Sequence, residues 1–171
     1  SELNGKTVGI YGLGRIGKEI ARRAQAFRMR VVYHGRTKQD FEPYEYYADL
    51  AAMARDVDWL VSIVPGGAST RHKIDRTVLD ALGPEGFLVN VGRGSTVDEA
   101  ALIAALREGR IAGAALDVFE EEPKVPEAFY SMENHGRPRR AQPSRSFRRG
   151  AADHAGGLTV RLQWPRKAST R

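Results

Sequence analysis

Val8-Gly9-Ile10-Tyr11-Gly12-Leu13-Gly14-Arg15-Ile16-Gly17 decides the fold. A short apolar run ends in Gly-x-Gly-x-x-Gly spacing and passes straight into a helical pattern over Arg15–Arg28. Each glycine has its own physical reason. Gly12 permits a tight turn, Gly14 leaves room for a pyrophosphate to approach the backbone, and Gly17 lets helix and strand pack closely. The first helical turn then offers unpaired N–H groups and the positive end of the macrodipole to an anion. A glycine-rich turn that binds nothing is the other reading of the same residues. Strand, loop, helix and second strand in sequence favour a dinucleotide cradle of Gly12, Leu13, Gly14, Arg15, Ile16 and Gly17.

Working outward, short apolar runs alternate with helical patterns across residues 1–134, as βαβ units around a parallel sheet require. The runs predict strands at Thr7–Tyr11, Arg30–Tyr33, Trp59–Val64, Phe87–Val91 and Ala112–Leu116. Helices are predicted at Arg15–Arg28, Tyr47–Arg55, Asp75–Leu82 and Asp98–Glu108, with Asp98 as an N-cap and Gly109 as the glycine past a helix end. The fold class is α/β, a Rossmann-type doubly wound parallel sheet. After the second strand come His34, Gly35 and Arg36. A site for NAD(H) would offer an acid about 20 residues beyond the fingerprint, to hold the ribose 2′-hydroxyl. None is present, and a guanidinium suits a 2′-phosphate by charge and by its fork of donors. The expected preference is NADP(H) over NAD(H), with a merely solvated Arg36 as the alternative.

The 171 residues are 42% apolar and 28% charged, ordinary for a water-soluble domain, and no apolar run reaches the length of a membrane span. With no cysteine there is no disulfide framework, thiolate metal site or cysteine nucleophile, and no secretory leader opens the chain. The expected location is cytoplasmic. Ser1 is not an initiator Met and the first strand begins within about six residues, so the expectation is either a missing upstream part or a start at a domain edge. The net charge of +6 is unevenly placed: residues 1–134 carry a net −3 and residues 135–171 a net +9. The composition break at His135 divides a cofactor-binding domain, 1–134, from a basic tail, 135–171.

Two further stretches carry a family resemblance. Asn90-Val91-Gly92-Arg93-Gly94-Ser95-Thr96-Val97-Asp98-Glu99 follows the fourth strand, and Ala114-Ala115-Leu116-Asp117-Val118-Phe119-Glu120-Glu121-Glu122-Pro123 follows the fifth. With the glycine fingerprint and Val64-Pro65-Gly66-Gly67, they resemble the cofactor domain of D-isomer-specific 2-hydroxyacid dehydrogenases. The nearest branch comprises glyoxylate/hydroxypyruvate and hydroxyphenylpyruvate reductases. The resemblance implies hydride transfer between C4 of a nicotinamide and C2 of a 2-keto or 2-hydroxy acid, with a small-molecule acid as substrate and a homodimer as the intact assembly. It implies that Arg93 binds the substrate carboxylate and polarises its carbonyl, and that Glu122 orients a catalytic histidine. Asp117 would help hold the nicotinamide amide, unless it only satisfies loop amides. Val64, Pro65, Gly66 and Gly67, with Ser69 and Thr70, resemble the loop between the cofactor's nicotinamide and its phosphates, and Val91, Gly92 and Arg93 would contact the cofactor as well.

The pattern stops at Asn134. The family continues with an apolar strand and a Pro-His pair, whereas His135-Gly136-Arg137-Pro138-Arg139-Arg140 follows here, so the sheet is expected to lack its last strand. His34, His72, His135 and His154 are each wrongly placed or flanked, and none is assigned as catalytic. The tail has three readings. One is a disordered basic extension. A second is nucleic-acid binding, which the lack of interleaved aromatics beyond Phe147 and Trp164 argues against. The third is a reading-frame slip: with one choice of codons, His135-Gly136-Arg137-Pro138 read one base on becomes Thr-Val-Val-Leu, the apolar strand the family expects. An NAD(P)-binding interaction module without catalysis is the alternative to the enzyme.

Overall fold

The computed structural model describes residues 3–130 and 158–160. Six parallel strands form the sheet: β1 (Thr7–Tyr11), β2 (Arg30–His34), β3 (Glu45–Tyr47), β4 (Trp59–Ser62), β5 (Phe87–Asn90) and β6 (Gly113–Leu116). Their spatial order is β3-β2-β1-β4-β5-β6, and β7 (Leu158–Val160) pairs antiparallel with β6 at one edge. The chain first builds one way from β1 and then returns to build the other way from β4. The order therefore reverses between β1 and β4, where an open α/β sheet leaves a crevice at its carboxyl edge.

Strand residues alternate between two apolar layers, as a pleated strand buried on both faces must. Val8, Ile10, Val31, Tyr33 and Val61 pack with α1 (Arg15–Ala26), whose Gly17, Ala21 and Ala24 are buried on one stripe. Tyr11, Val32, Leu60 and Leu88 face the opposite layer with α2 (Leu50–Arg55), α3 (Arg76–Leu82) and α4 (Glu99–Arg107). A short helix, α5 (Glu127–Tyr130), adds Phe129 to that layer. On the α1 side, Trp59 and Phe87 stack from neighbouring strands with centroids 4.5 Å apart.

The structure revises several predicted boundaries. The helical pattern predicts a helix from Tyr47 and no strand before it, but Glu45–Tyr47 is a strand and α2 begins at Leu50. Asp49 sets that start: its Oδ1 accepts the Ala52 N–H at 2.6 Å. α1 ends at Ala26 because Arg28 turns to a positive φ of 57°, and β4 and β5 end at Ser62 and Asn90 where the chain leaves the ladder. Asp98 caps α4 through the Ala101 N–H at 3.0 Å, and Gly109 just beyond it has φ 66°, both as predicted. The apolar strand that the family pattern places after Asn134 falls outside the described residues, and β7 pairs with the edge of β6.

Two predictions follow from these contacts. Asp49→Ala removes a cap and costs about 1 kcal/mol in urea unfolding. Had the helix begun at Tyr47, Asp49 would lie inside it and the better helix former would raise stability instead. The second concerns Asp58, which joins β4 to β1 by accepting from Lys6 Nζ and from the Thr7 N–H at 2.8 Å. Burial works to raise the Asp58 carboxyl, but these hydrogen bonds and the Lys6 charge hold it below its ordinary value. A lowered carboxyl stabilises the fold above the ordinary carboxylate range and loses that contribution as pH falls through its folded value. Asp58→Asn is therefore less stable than wild type at pH 7, and the gap in denaturant midpoint closes below about pH 4.

Candidate functional site

Gly12 leaves β1 with φ 105°, and its N–H donates to the His34 carbonyl at 2.9 Å, tying the turn to the end of β2. A Cβ on Gly12 would lie 2.8 Å from Val64 Cγ1, so the segment after β4 closes against the same turn. A Cβ on Gly17 would overlap the Gly12 carbonyl oxygen. α1 thus rests on the turn through bare backbone, and its first turn points at the crevice. Gly14 is the N-cap in an extended conformation, with no side-chain cap and no acid in the first turn, and the space where its Cβ would stand is open. A 12-residue helix ending this way presents N–H groups and a positive dipole end to an anion.

A cavity of about 930 Å³ lies over this edge. It brings together Gly12, Leu13 and Gly14 with His34, Gly35, Arg36, Val64, Pro65 and Thr70. The volume lies at the upper end of ordinary ligand pockets. Its shape runs from the β2 end past the glycine turn to the β4 end, which fits an extended dinucleotide laid across the switch point. Arg15, Ile16 and Gly17 stand beside it on the first turn of α1. Val91, Gly92, Arg93, Asp117 and Glu122 are not among its lining residues; they stand on the loops that follow β5 and β6.

Each end of the cavity is held by its own hydrogen bonds. His34 Nδ1 is 2.8 Å from the Tyr47 carbonyl, which only accepts, so that nitrogen carries the hydrogen. The His34 ring also lies 5.3 Å from the Tyr11 ring, and burial pushes the Tyr11 phenol up from its ordinary value. Arg36 is exposed at the rim, and a side chain on the neighbouring Gly35 would meet nothing within 4 Å. Thr70 Oγ1 donates to the Pro65 carbonyl at 2.8 Å, which folds the 65–70 loop on itself.

Arg93 is fixed at its backbone. Its carbonyl accepts from Asn90 Nδ2 at 3.0 Å, Thr96 Oγ1 at 2.7 Å and the Thr96 N–H at 3.1 Å. Ser62, Asn90 and Thr96 are all fully buried, and Ser62 Oγ approaches Thr96 Oγ1 at 3.4 Å. The guanidinium itself is exposed, with Nη1 on the Gly92 carbonyl at 2.8 Å. Asp117 is exposed and donates its N–H to the Asn90 carbonyl at 3.0 Å. Glu122 is exposed, and its Oε1 accepts the Phe119 N–H at 3.0 Å.

Several lining residues were not predicted from sequence, among them Tyr11, Thr37, Gln39, Tyr46 and Lys73. Gln39 Nε2 reaches the Leu13 carbonyl at 2.7 Å and Tyr46 Oη the Gly35 carbonyl at 3.2 Å. Of these only Tyr46 carried a signal, the strand propensity of Tyr46-Tyr47, which brings it back beside β2.

Comparison with known proteins agrees with this geometry. The family model described as D-isomer specific 2-hydroxyacid dehydrogenase, NAD binding domain, matches residues 1–136. The chain is 52% identical over 134 residues to a glyoxylate/hydroxypyruvate reductase A of Arabidopsis thaliana, covering 78% of this chain and 43% of that protein. It is 49% identical over 134 residues to the hydroxyphenylpyruvate reductase of Plectranthus scutellarioides, with the same coverage of 78% and 43%. Among solved structures, it is similar to an NADPH-dependent glyoxylate/hydroxypyruvate reductase of Sinorhizobium meliloti in complex with NADP and malonate. That similarity has a TM-score of 0.73 and 58% identity, over 74% of this chain and 40% of the other. The chain therefore spans less than half the length of these relatives. It belongs to the D-isomer-specific 2-hydroxyacid dehydrogenase family, and the match covers that family's NAD-binding domain.

Proposed function

We propose that this chain is the cofactor-binding part of an NAD(P)-dependent oxidoreductase that reduces small 2-keto acids of the glyoxylate and hydroxypyruvate class. The observation that carries its cofactor part is the glycine turn at the strand-order reversal, with an uncapped helix N-terminus beside a cavity of about 930 Å³, and the substrate class rests on the likeness to the reductases. NAD(P)H, when bound, supplies the hydride that adds to C2 of the keto acid. The chain's own residues bind and orient. Gly12, Leu13, Gly14, Arg15, Ile16 and Gly17 hold the pyrophosphate, and Val64, Pro65, Thr70, Val91, Gly92 and Asp117 the nicotinamide side. Arg93 presents its fork of donors to the substrate carboxylate and carbonyl. Glu122 orients an imidazole, which none of the described residues supplies in the family's position. The cofactor unit in this reading ends near residue 134, and the basic stretch 135–171 follows it, with Leu158–Val160 returning to the edge of β6.

The preferred cofactor in this reading is NADP(H). Gly35 and Arg36 stand where a carboxylate would receive the ribose 2′-hydroxyl, with His34 beside them. A 2′-phosphate would meet a guanidinium and no acid at that turn.

Fluorescence titration with NADPH and NADH tests both parts. NADPH is expected to bind more tightly, and Arg36→Ala to weaken NADPH about tenfold while leaving NADH within twofold, as loss of one charge-assisted contact implies. Tighter binding of NADH would overturn the preference. Oxidation of NADPH with glyoxylate or hydroxypyruvate supports the enzyme, and saturable cofactor binding without turnover supports a non-catalytic NAD(P)-binding module.

A further inference from the structure

The loops that leave β4, β5 and β6 are joined to one another outside the cavity, at a cluster of charged residues. The His72 N–H donates to the Ser95 carbonyl at 2.8 Å, the Ile74 N–H to the Thr96 carbonyl at 3.0 Å, and the Asp98 N–H to the Ile74 carbonyl at 3.0 Å. A Cβ on Gly94 would overlap the backbone of Phe119 and Glu120, so the segment that carries Arg93 lies bare against the loop that carries Glu122. His72 has φ 50°, a left-handed conformation that costs a non-glycine residue on the order of 1 kcal/mol or more. In that conformation its Nε2 lies 2.9 and 3.0 Å from the two carboxylate oxygens of Glu120.

Glu120 is held from three directions. Arg71 Nη2 lies 2.7 Å from its Oε1, and its backbone N–H donates to Glu99 Oε1 at 2.8 Å, at the first residue of α4. Burial is the largest cause raising the Glu99 carboxyl, with the Glu120 and Glu121 charges adding to it. The Glu120 N–H and the His72 charge oppose the rise. An isolated surface ion pair contributes little. This one differs: the Glu120 side chain is only 21% exposed, and its partners come from two other segments of the fold.

We propose that His72 and Glu120 are positioning residues. Their pair, braced by Arg71 and Glu99, locks the 65–73 and 117–123 loops around residues 93–96. Arg93 and Glu122 then stand in a fixed relation before any ligand binds. The link to Glu122 is short, because its Oε1 accepts the N–H of Phe119, the residue next to Glu120. A site preorganised this way gives up little loop freedom on binding. The proposal rests on the reading of Arg93 and Glu122 as substrate-side residues.

Amide hydrogen exchange on the full chain tests it, with wild type, His72→Leu, His72→Gln and Glu120→Ala. In His72→Leu, exchange at Phe119 and Glu120 is expected to speed up tenfold or more, while Ile10 in β1 stays within twofold. Gln at 72 offers an N–H donor to the Glu120 carboxylate and is expected to restore most of the protection. Glu120→Ala is expected to match the Leu variant. Unchanged exchange at Phe119 in His72→Leu, or equal acceleration at Ile10, would overturn the proposal, as would a His72→Gln variant no better than His72→Leu. The cofactor titration on wild type decides the functional reading separately, because the exchange rates need no ligand.

Discussion

The α-carbon of Gly17 meets the carbonyl of Gly12 with no side chain between them, and the placement of the first helix follows from that contact. A methyl there would push α1 off the turn, lifting Ala21 and Ala24 away from Val8, Ile10 and Val31. The same turn is tied sideways, to β2 through the Gly12 N–H and to β4 through Val64. Three strand ends therefore converge on one point of the carboxyl edge. The cavity is what remains open above it, and the uncapped helix terminus faces that opening because the contact leaves it no other direction.

A second constraint acts one strand further on. Ser62, Asn90 and Thr96 place polar side chains where the neighbouring layers are aliphatic, and burying such groups is costly unless every donor and acceptor is satisfied. Among the described residues no buried side-chain nitrogen or oxygen lacks a partner. Asn90 Nδ2 and Thr96 Oγ1 both donate to a single carbonyl, that of Arg93. The polar cluster thus fixes the backbone from which a solvated guanidinium projects. Fixing the backbone and leaving the head group in water keeps the donors available without the cost of burying a charge.

Much of the sheet was legible because its strands are short apolar runs between helical patterns and its glycines obey a spacing. Val8, Ile10 and Val31 enter one layer and Tyr11, Val32 and Leu60 the other, so both faces of each strand are apolar, and the caps at Asp98 and Gly109 act locally. What escaped reading was short or distant. β3 has three residues, too few for a period, and the helical pattern beginning at Leu50 masked it. The same holds for the site. Gly12, Gly14, Gly35 and Arg36 belong to one strand–turn–helix–strand pattern whose spacing places them together, but Gln39 crossing to Leu13 depends on how a loop folds back. The His72 and Glu120 pair spans 48 positions. Within Glu120-Glu121-Glu122 nothing in the residue types distinguishes the glutamate that is clasped from the ones that are not.

The charge distribution bears on how an anion is held here. Residues 1–134 carry a net −3, so the field of this region as a whole does not draw in a polyphosphate. Within this region attraction is local, and the cavity lining shows how. Its cations include Arg36 and Lys73, and its acids include Asp49 and Asp75. Both of those acids are N-caps: Asp49 accepts the Ala52 N–H at 2.6 Å, and Asp75 the Val78 N–H at 3.0 Å. Each carboxylate thus sits against the positive end of its own helix, α2 or α3, which offsets its repulsion of a second anion. The first turn of α1 has no such acid in place. Of the three helices that open near this cavity, two have their dipole ends occupied by side chains of the chain itself. The third is left for a ligand, and it follows the glycine turn.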